Sequence, residues 1–419
     1  MKIRKQMICD RRNIESSPLL LLEGYNFISK RCRKYGTNVF QTRLLCHKVI
    51  CMKGADAAKL FYDERYFKRK GVAPKMIQKT LFGQHGVQGL DGMEHKQRKQ
   101  MFMSIMTPEN MELLTKITKE KWEFYSQRWE NEGNILLFDQ VQEIMTKVAC
   151  EWAGVSIKES DIQLRADDFG KMVDGFGSFG CRYFMGKCAR NRTEIWIKDI
   201  IKQIRSNKIK PDKTSAAYTI AWNYDVNGEL LNAQIAAVEL INIIRPIVAI
   251  ATYITFGALA MYRYPRCLRK LQTKDDAYPL MFIQEVRRYY PFAPFVGARV
   301  KKSFYWKNIY FKRGMIALFD IYGTNHDPRY WEWPNKFHPE RFANKKDNLY
   351  AFVPQGGGNP HQGHRCAGEL VTINIMKESL LFLANKLEYR VPKQNLNYCL
   401  RRIPTLPRSR FRITQIRIK

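Results

Sequence analysis

The 419-residue sequence has no CxxC pair, no internal repeat and no low-complexity tract, and its ten cysteines stand at irregular spacing. A small disulfide-stapled domain and a repeat array are thereby excluded. Acid is scarce: 39 Asp and Glu face 71 Lys and Arg, a net charge of +32. Such a balance points to nucleic acid or an anionic membrane when the basic residues gather in one arm or stripe. Here they are scattered from Lys2 to Lys419. The expectation is a solvated basic surface, with no nucleic-acid partner and only weak peripheral contact with anionic lipid. No hydrophobic signal core follows the basic opening Met1-Lys2-Ile3-Arg4-Lys5, and Leu19 to Leu22 is far too short to cross a bilayer. The default setting is reduced and cytoplasmic. What the chain does have is apolar surface to bury: 45% of its residues are hydrophobic and 13% aromatic, which excludes global disorder. Its length suits one mainly helical domain over residues 1–419.

Most long segments read as helices. Thr107-Pro108-Glu109 offers an N-cap, a proline at the first turn and an acid against the dipole, which predicts a helix to about Gly133. Further helices are predicted from near Asn232 to the turn before Pro265, from Tyr278 to Tyr290, and from about Cys366 to just before Val391-Pro392. Strand-like alternation is confined to short stretches: Phe304 to Phe311, Met315 to Tyr322 and Phe411 to Ile418. The pattern is a large helical body with small sheets.

The most informative stretch is Phe352-Val353-Pro354-Gln355-Gly356-Gly357-Gly358-Asn359-Pro360-His361-Gln362-Gly363-His364-Arg365-Cys366-Ala367-Gly368-Glu369. A glycine-rich loop lets backbone lie flat against a planar group and turn N–H groups toward a sulfur. A cysteine at the start of a helix has its thiolate favoured by the dipole and the free amides. Taken alone, a buried free cysteine in a turn competes with that reading. Upstream, however, Glu285-Val286-Arg287-Arg288 sets Glu and Arg three apart on one helical face, and Pro339-Glu340-Arg341-Phe342 follows. In this order, ExxR, a PERF-like segment and a Gly-rich Cys loop resemble the signatures of the cytochrome P450 family, over nearly the whole chain. The resemblance implies a mainly α fold with haem b buried between a long distal helix and the Cys-loop helix. It implies Cys366 as the iron's axial ligand, and Glu285, Arg288 and Arg341 as a buried charge network supporting the loop. One departure narrows the branch. The family's usual Phe seven residues before Cys is Asn359 here, and Phe352 lies fourteen before. This longer loop is similar to that of the bacterial fatty-acid peroxygenases and their alkene-forming, decarboxylating relatives.

The predicted long helix carries Glu239-Leu240-Ile241-Asn242-Ile243-Ile244-Arg245-Pro246-Ile247-Val248. Between Glu239 and Arg263 the only charged residue is Arg245, and its i−4 and i+3 neighbours are Ile241 and Val248. A buried guanidinium needs an anion. An internal acid could supply it, but none lies one turn away, which makes a carboxylate-bearing ligand attractive. Pro246 should kink the helix. Most of the family carries an acid–threonine pair here for proton delivery in a reductase-fed dioxygen cycle, and neither Arg245 nor Pro246 can do that work. Hydrogen peroxide brings its own electrons and protons, and a fatty-acid carboxylate paired with Arg245 can act as base and acid. No dedicated redox partner is then required. A carboxylate held there presents its α and β carbons, so 2- or 3-hydroxy fatty acids are the expected products.

Before a helix predicted from near Met93, Gln88 matches a position where hydroxylating members of the branch tend to carry Gln and alkene-forming members His. It is therefore expected to act in catalysis with Arg245 and Pro246. His95 and Lys99, at i and i+4, match the family's donors to a haem propionate, with Arg98 as the rival of Lys99. Phe82, Phe292 and Phe295 are expected in the substrate pocket wall. The competing readings are a fatty-acid decarboxylase and, outside catalysis, a haem sensor or binding protein.

Overall fold

The computed structural model describes residues 15–273, 275–344 and 348–419; the basic opening Met1 to Lys5 lies outside them. The architecture is mainly helical, as expected. The body is built from helices Pro108–Glu132, Leu137–Ala153, Cys181–Arg205, Ala233–Ala249, Ala251–Arg263, Tyr278–Tyr289 and Glu369–Asn385. Against it stands a five-stranded sheet in the order Val39–Leu44, His47–Met52, Ile316–Asp320, Phe295–Val300, Phe67–Lys68. A three-stranded sheet (Asn134–Leu136, Arg412–Ile418, Leu387–Arg390) and the hairpin Phe304–Trp306/Ile309–Phe311 complete the described strands.

The local signals explain most boundaries. The Thr107 hydroxyl accepts from the Asn110 amide, Pro108 opens the helix, and Gly133 ends it at φ 65°. Asn232 caps the helix Ala233–Ala249 by accepting from the Gln234 amide at 2.8 Å. Residues Ala233–Arg263 are long and apolar enough to cross a membrane, but 89% of their most apolar window is buried in the protein. They form its central core helix. That helix passes through Pro246 and breaks at Ile250, where Ala251 restarts it. The distortion expected at the proline is therefore displaced by a turn. Proline accepts helical φ and deletes one backbone bond, to Asn242, so the ladder on either side can continue.

Two sequence expectations need correction, and one hairpin was not anticipated. The helix expected from Cys366 to before Val391 is only Glu369–Asn385, because a turn at Ala367-Gly368 precedes it and the strand Leu387–Arg390 follows. The stretch Phe304 to Phe311 is a hairpin, turning at Lys307 and Asn308 with φ of 48° and 63°. The hairpin Val39–Leu44/His47–Met52 turns the same way at Leu45 and Cys46 (φ 49° and 63°). Such turns need positive φ at both central residues, and without an Asn-Gly or Asp-Gly pair they leave little trace in sequence.

The loop before Cys366 is anchored through buried charge. Glu285 and Arg288, both fully buried, pair in a fork at 2.7 and 2.8 Å. Arg288 also donates to the carbonyls of Asn325, Pro334 and Lys336. Glu285 accepts the His338 amide at 2.8 Å, and Arg341 lies 3.1 Å from its other oxygen. One helix thus ties down the segment that leads into the Cys loop. Glu285→Ala leaves two guanidinium groups without their carboxylate, and unfolding in urea should show a loss of about 3–5 kcal/mol.

Candidate active site

Cys366 sits between the glycine loop and the helix Glu369–Asn385. Its amide donates to the Gln355 carbonyl at 3.0 Å, closing the loop back on itself. The loop passes tightly: a Cβ on Gly356, at φ +103°, would lie 3.0 Å from the Tyr62 hydroxyl and 3.2 Å from the Arg365 Cα. Burial pushes the Cys366 thiol above its ordinary pKa, while the Gly368 amide and the Gln355 side chain pull it back. The Gln355 Nε2 lies 3.7 Å from the sulfur and donates to Thr372 at 2.9 Å. Its Oε1 accepts from Arg287 at 2.7 Å, and Arg287 also bonds Glu369. Glu369 in turn accepts from Arg365 at 2.6 Å. Sequence reading passed over Arg287 and Gln355; the only available signal was Arg287's place beside Arg288 on a buried helix.

Arg245 lies in the central helix and is 6% exposed. Among the described residues no carboxylate pairs with it. Its Nη2 reaches the Asn242 Oδ1 at 3.5 Å, and its Nε has no partner. Burial, reinforced by the Arg190 charge, pulls its pKa down to about 9, and Cys366 acts in the opposite sense. At neutral pH the cation persists.

Gln88 stands in the short turn Val87–Gly89, and its Oε1 accepts from Asn242 Nδ2 at 3.3 Å. The same amide donates to Glu239 at 3.0 Å. Glu239 is fully buried and holds Arg98 at 2.5 Å, so Arg98, expected as the rival of Lys99, is committed elsewhere. Lys99 is buried and donates to the Arg365 carbonyl. His95 is buried, and its ring lies 4.0 Å from that of His364. Burial, then the His364 and Lys99 charges, lower His95 to about 3, so it is neutral at physiological pH. His364 was not singled out in sequence; it approaches Asp91 at 3.6 Å.

The three phenylalanines separate. Phe82 ends the turn Gln78–Phe82 and is half-buried, and Phe292 stacks on Tyr253 at 4.5 Å. Phe295 instead packs against the Phe27–Phe40 cluster of the sheet, while its neighbour Val296 joins the opposite cluster with Val353. Strand alternation thus sets Phe295 and Val296 on opposite faces of the sheet.

Comparison with known proteins points one way. The Cytochrome P450 family model matches residues 275–397. Cytochrome P450SP alpha, solved in complex with (R)-ibuprophen, is 42% identical with a TM-score of 0.95, over 97% of this chain and 99% of that one. Cytochrome P450EX alpha, solved with myristic acid, is 40% identical with a TM-score of 0.95, over 99% and 100%. A variant of cytochrome P450 OleT in complex with arachidonic acid is 34% identical with a TM-score of 0.96, over 99% of both chains.

The contact from Gln355 to the sulfur has a measurable consequence. Gln355→Leu deletes a donor that favours the thiolate, so the Cys366 pKa in the cofactor-free protein should rise. Alkylation of Cys366 at pH 8, followed by peptide mass mapping, should slow roughly three- to tenfold.

Proposed function

This chain belongs to the cytochrome P450 family, and we propose that it is a haem-thiolate peroxygenase that hydroxylates free fatty acids at the α and/or β carbon with hydrogen peroxide. The cofactor of the family is haem b, and the donor set here fits it. Cys366 offers a sulfur already approached by the Gly368 amide and the Gln355 side chain. His95, His364 and Lys99 gather N–H donors beside the Cys loop, suited to propionates. Arg245 is buried with its Nε unpartnered. Cys366 would ligate the iron, and His95, Lys99 and His364 would receive the propionates.

The observation that carries the reading is the Arg245 cation, buried without an acid among the described residues. When bound, haem supplies the iron at which the peroxide O–O bond is cleaved and the substrate oxidised. Arg245 binds a carboxylate through charge-assisted, fork-like hydrogen bonds. Its neighbours on the helix, Ile241, Ile244, Pro246 and Val248, have no group that exchanges protons. The proton taken from peroxide and returned to the departing oxygen is thus left to the carboxylate that Arg245 holds. Anchoring that end brings the α and β carbons to the reaction, and Gln88 supplies a neutral amide rather than an imidazole. The fatty acids bound to the P450EX alpha and OleT structures support this substrate class.

The test is product analysis with a fatty acid and hydrogen peroxide in the absence of any reductase. Wild type should give 2- and 3-hydroxy acids; Cys366→Ala should lose the thiolate-type Soret band of its carbon monoxide complex. Arg245→Leu removes a contact worth about 3–5 kcal/mol, so hydroxylation should fall by roughly two to four powers of ten while haem still loads. A short carboxylic acid should let wild type, but not Arg245→Leu, oxidise a small neutral molecule. Equal activity of this variant and wild type would leave Arg245 a structural residue and end the proposal. A companion change, Gln88→His, should raise the share of terminal alkene among the products, measured by gas chromatography.

A further inference from the structure

We infer that Asn242 is the positioning residue that orients both Gln88 and Arg245, and so sets where along the bound fatty acid oxidation falls; this rests on the peroxygenase reading above. Glu239, Asn242 and Arg245 recur at intervals of three, which makes them a single polar stripe on an otherwise apolar buried helix. The stripe runs from anion to cation. Glu239, fully buried and ion-paired with Arg98, accepts from the Asn242 Nδ2 at 3.0 Å. Arg245, which can only donate, faces the Asn242 Oδ1 at 3.5 Å.

The two ends fix the amide. Turning it over would set its NH2 against the guanidinium and its oxygen against the carboxylate, two repulsive contacts in a buried place. Because Nδ2 is held on the Glu239 side, it also meets Gln88 there, and the Gln88 Oε1 accepts from it at 3.3 Å. Gln88 is therefore bound by its oxygen. Its own NH2, with no hydrogen bond among the described residues, is the end left to approach a ligand. Asn242 thus acts on two groups that the proposed reaction uses, without itself exchanging a proton.

A glycine nearby points to the same pair. Gly86 has ordinary negative φ, yet a Cβ there would lie 2.9 Å from the Asn242 Nδ2, 3.0 Å from the Phe82 carbonyl and 3.1 Å from the Gln88 Oε1. A side chain at position 86 would intrude on both partners of that hydrogen bond. Gly86→Ala therefore disturbs the contact from the outside, leaving Asn242, Arg245 and Cys366 unaltered.

The experiment compares haem-loaded wild type, Asn242→Leu and Gly86→Ala. A fatty acid and, separately, imidazole are titrated by the Soret shift, and products with hydrogen peroxide are resolved into 2-hydroxy, 3-hydroxy and alkene. Asn242→Leu should weaken the fatty acid roughly tenfold and change the product distribution, with imidazole affinity kept within about threefold. Gly86→Ala should shift the distribution in the same direction with a smaller loss of affinity, since the contact from Asn242 to Arg245 survives. Unchanged distributions in both variants overturn the inference, as does an equal weakening of fatty acid and imidazole, which marks a merely structural role. If Asn242→Leu does not load haem, Gly86→Ala decides alone. A wild type with no Soret response to fatty acid and no hydroxy acid overturns the peroxygenase reading along with this one.

Discussion

A cation buried without its anion is the constraint on which the site depends. Transferring an unpaired charge out of water is among the most costly steps a fold can contain, and proteins ordinarily pair it, neutralise it or keep it wet. Arg245 is enclosed by apolar helix faces, with an amide as its only side-chain hydrogen-bond partner among the described residues. Burial brings its pKa down to about 9, which still leaves it charged at neutral pH. A carboxylate brought to such a cation would offset part of that cost. Any ligand that binds the folded state alone also stabilises it by mass action.

This is not a fold that lacks the means to satisfy arginines. Arg288 meets Glu285 in a fork and three backbone carbonyls besides. Arg287 meets Glu369, Gln355 and Gln284, and Arg98 meets Glu239. Even Arg190, close enough to depress Arg245, has Glu194 at 2.5 Å. Each of these supports structure: the ExxR pair holds the segment leading to the Cys loop, and Arg287 holds the loop's own Gln355. Arg245 differs from these four in having no carboxylate partner among the described residues.

The sequence disclosed those parts of the site whose chemistry is contiguous. The Cys loop, Glu285 with Arg288, and Arg245 in its apolar run each carry their meaning within a few residues. Pairings across the chain stayed hidden. Arg98 reads as a free cation until the fold brings Glu239 to it from 141 positions away. Gln355 reads as part of a glycine loop until Arg287 and Thr372 turn its amide toward the sulfur. Asn242 is silent because an asparagine on a buried helix has no preferred partner until its neighbours are known. The misread segments have a similar cause. The turn at Ala367-Gly368 delays the helix after Cys366, and the turn at Lys307-Asn308 divides what reads as one alternating stretch.

The choice of arginine has a further consequence for what can react. Arg245 stays protonated across the working range, and Asn242 and Gln88 do not titrate. Among these groups nothing can take a proton from peroxide and give it back. If the carboxylate is the only group that can, then the molecule anchored by Arg245 is also the molecule that completes the acid–base machinery. An ester or alcohol of the same chain length retains the apolar tail but lacks the anion, so it loses the fork with Arg245 and the proton carrier together. Selectivity for free acids then follows from what the helix omits, a carboxylate one turn from Arg245, and not from a barrier raised against other ligands. The same omission ties peroxide activation to occupancy: without an acid in place, the oxidant meets a site with no base to use it.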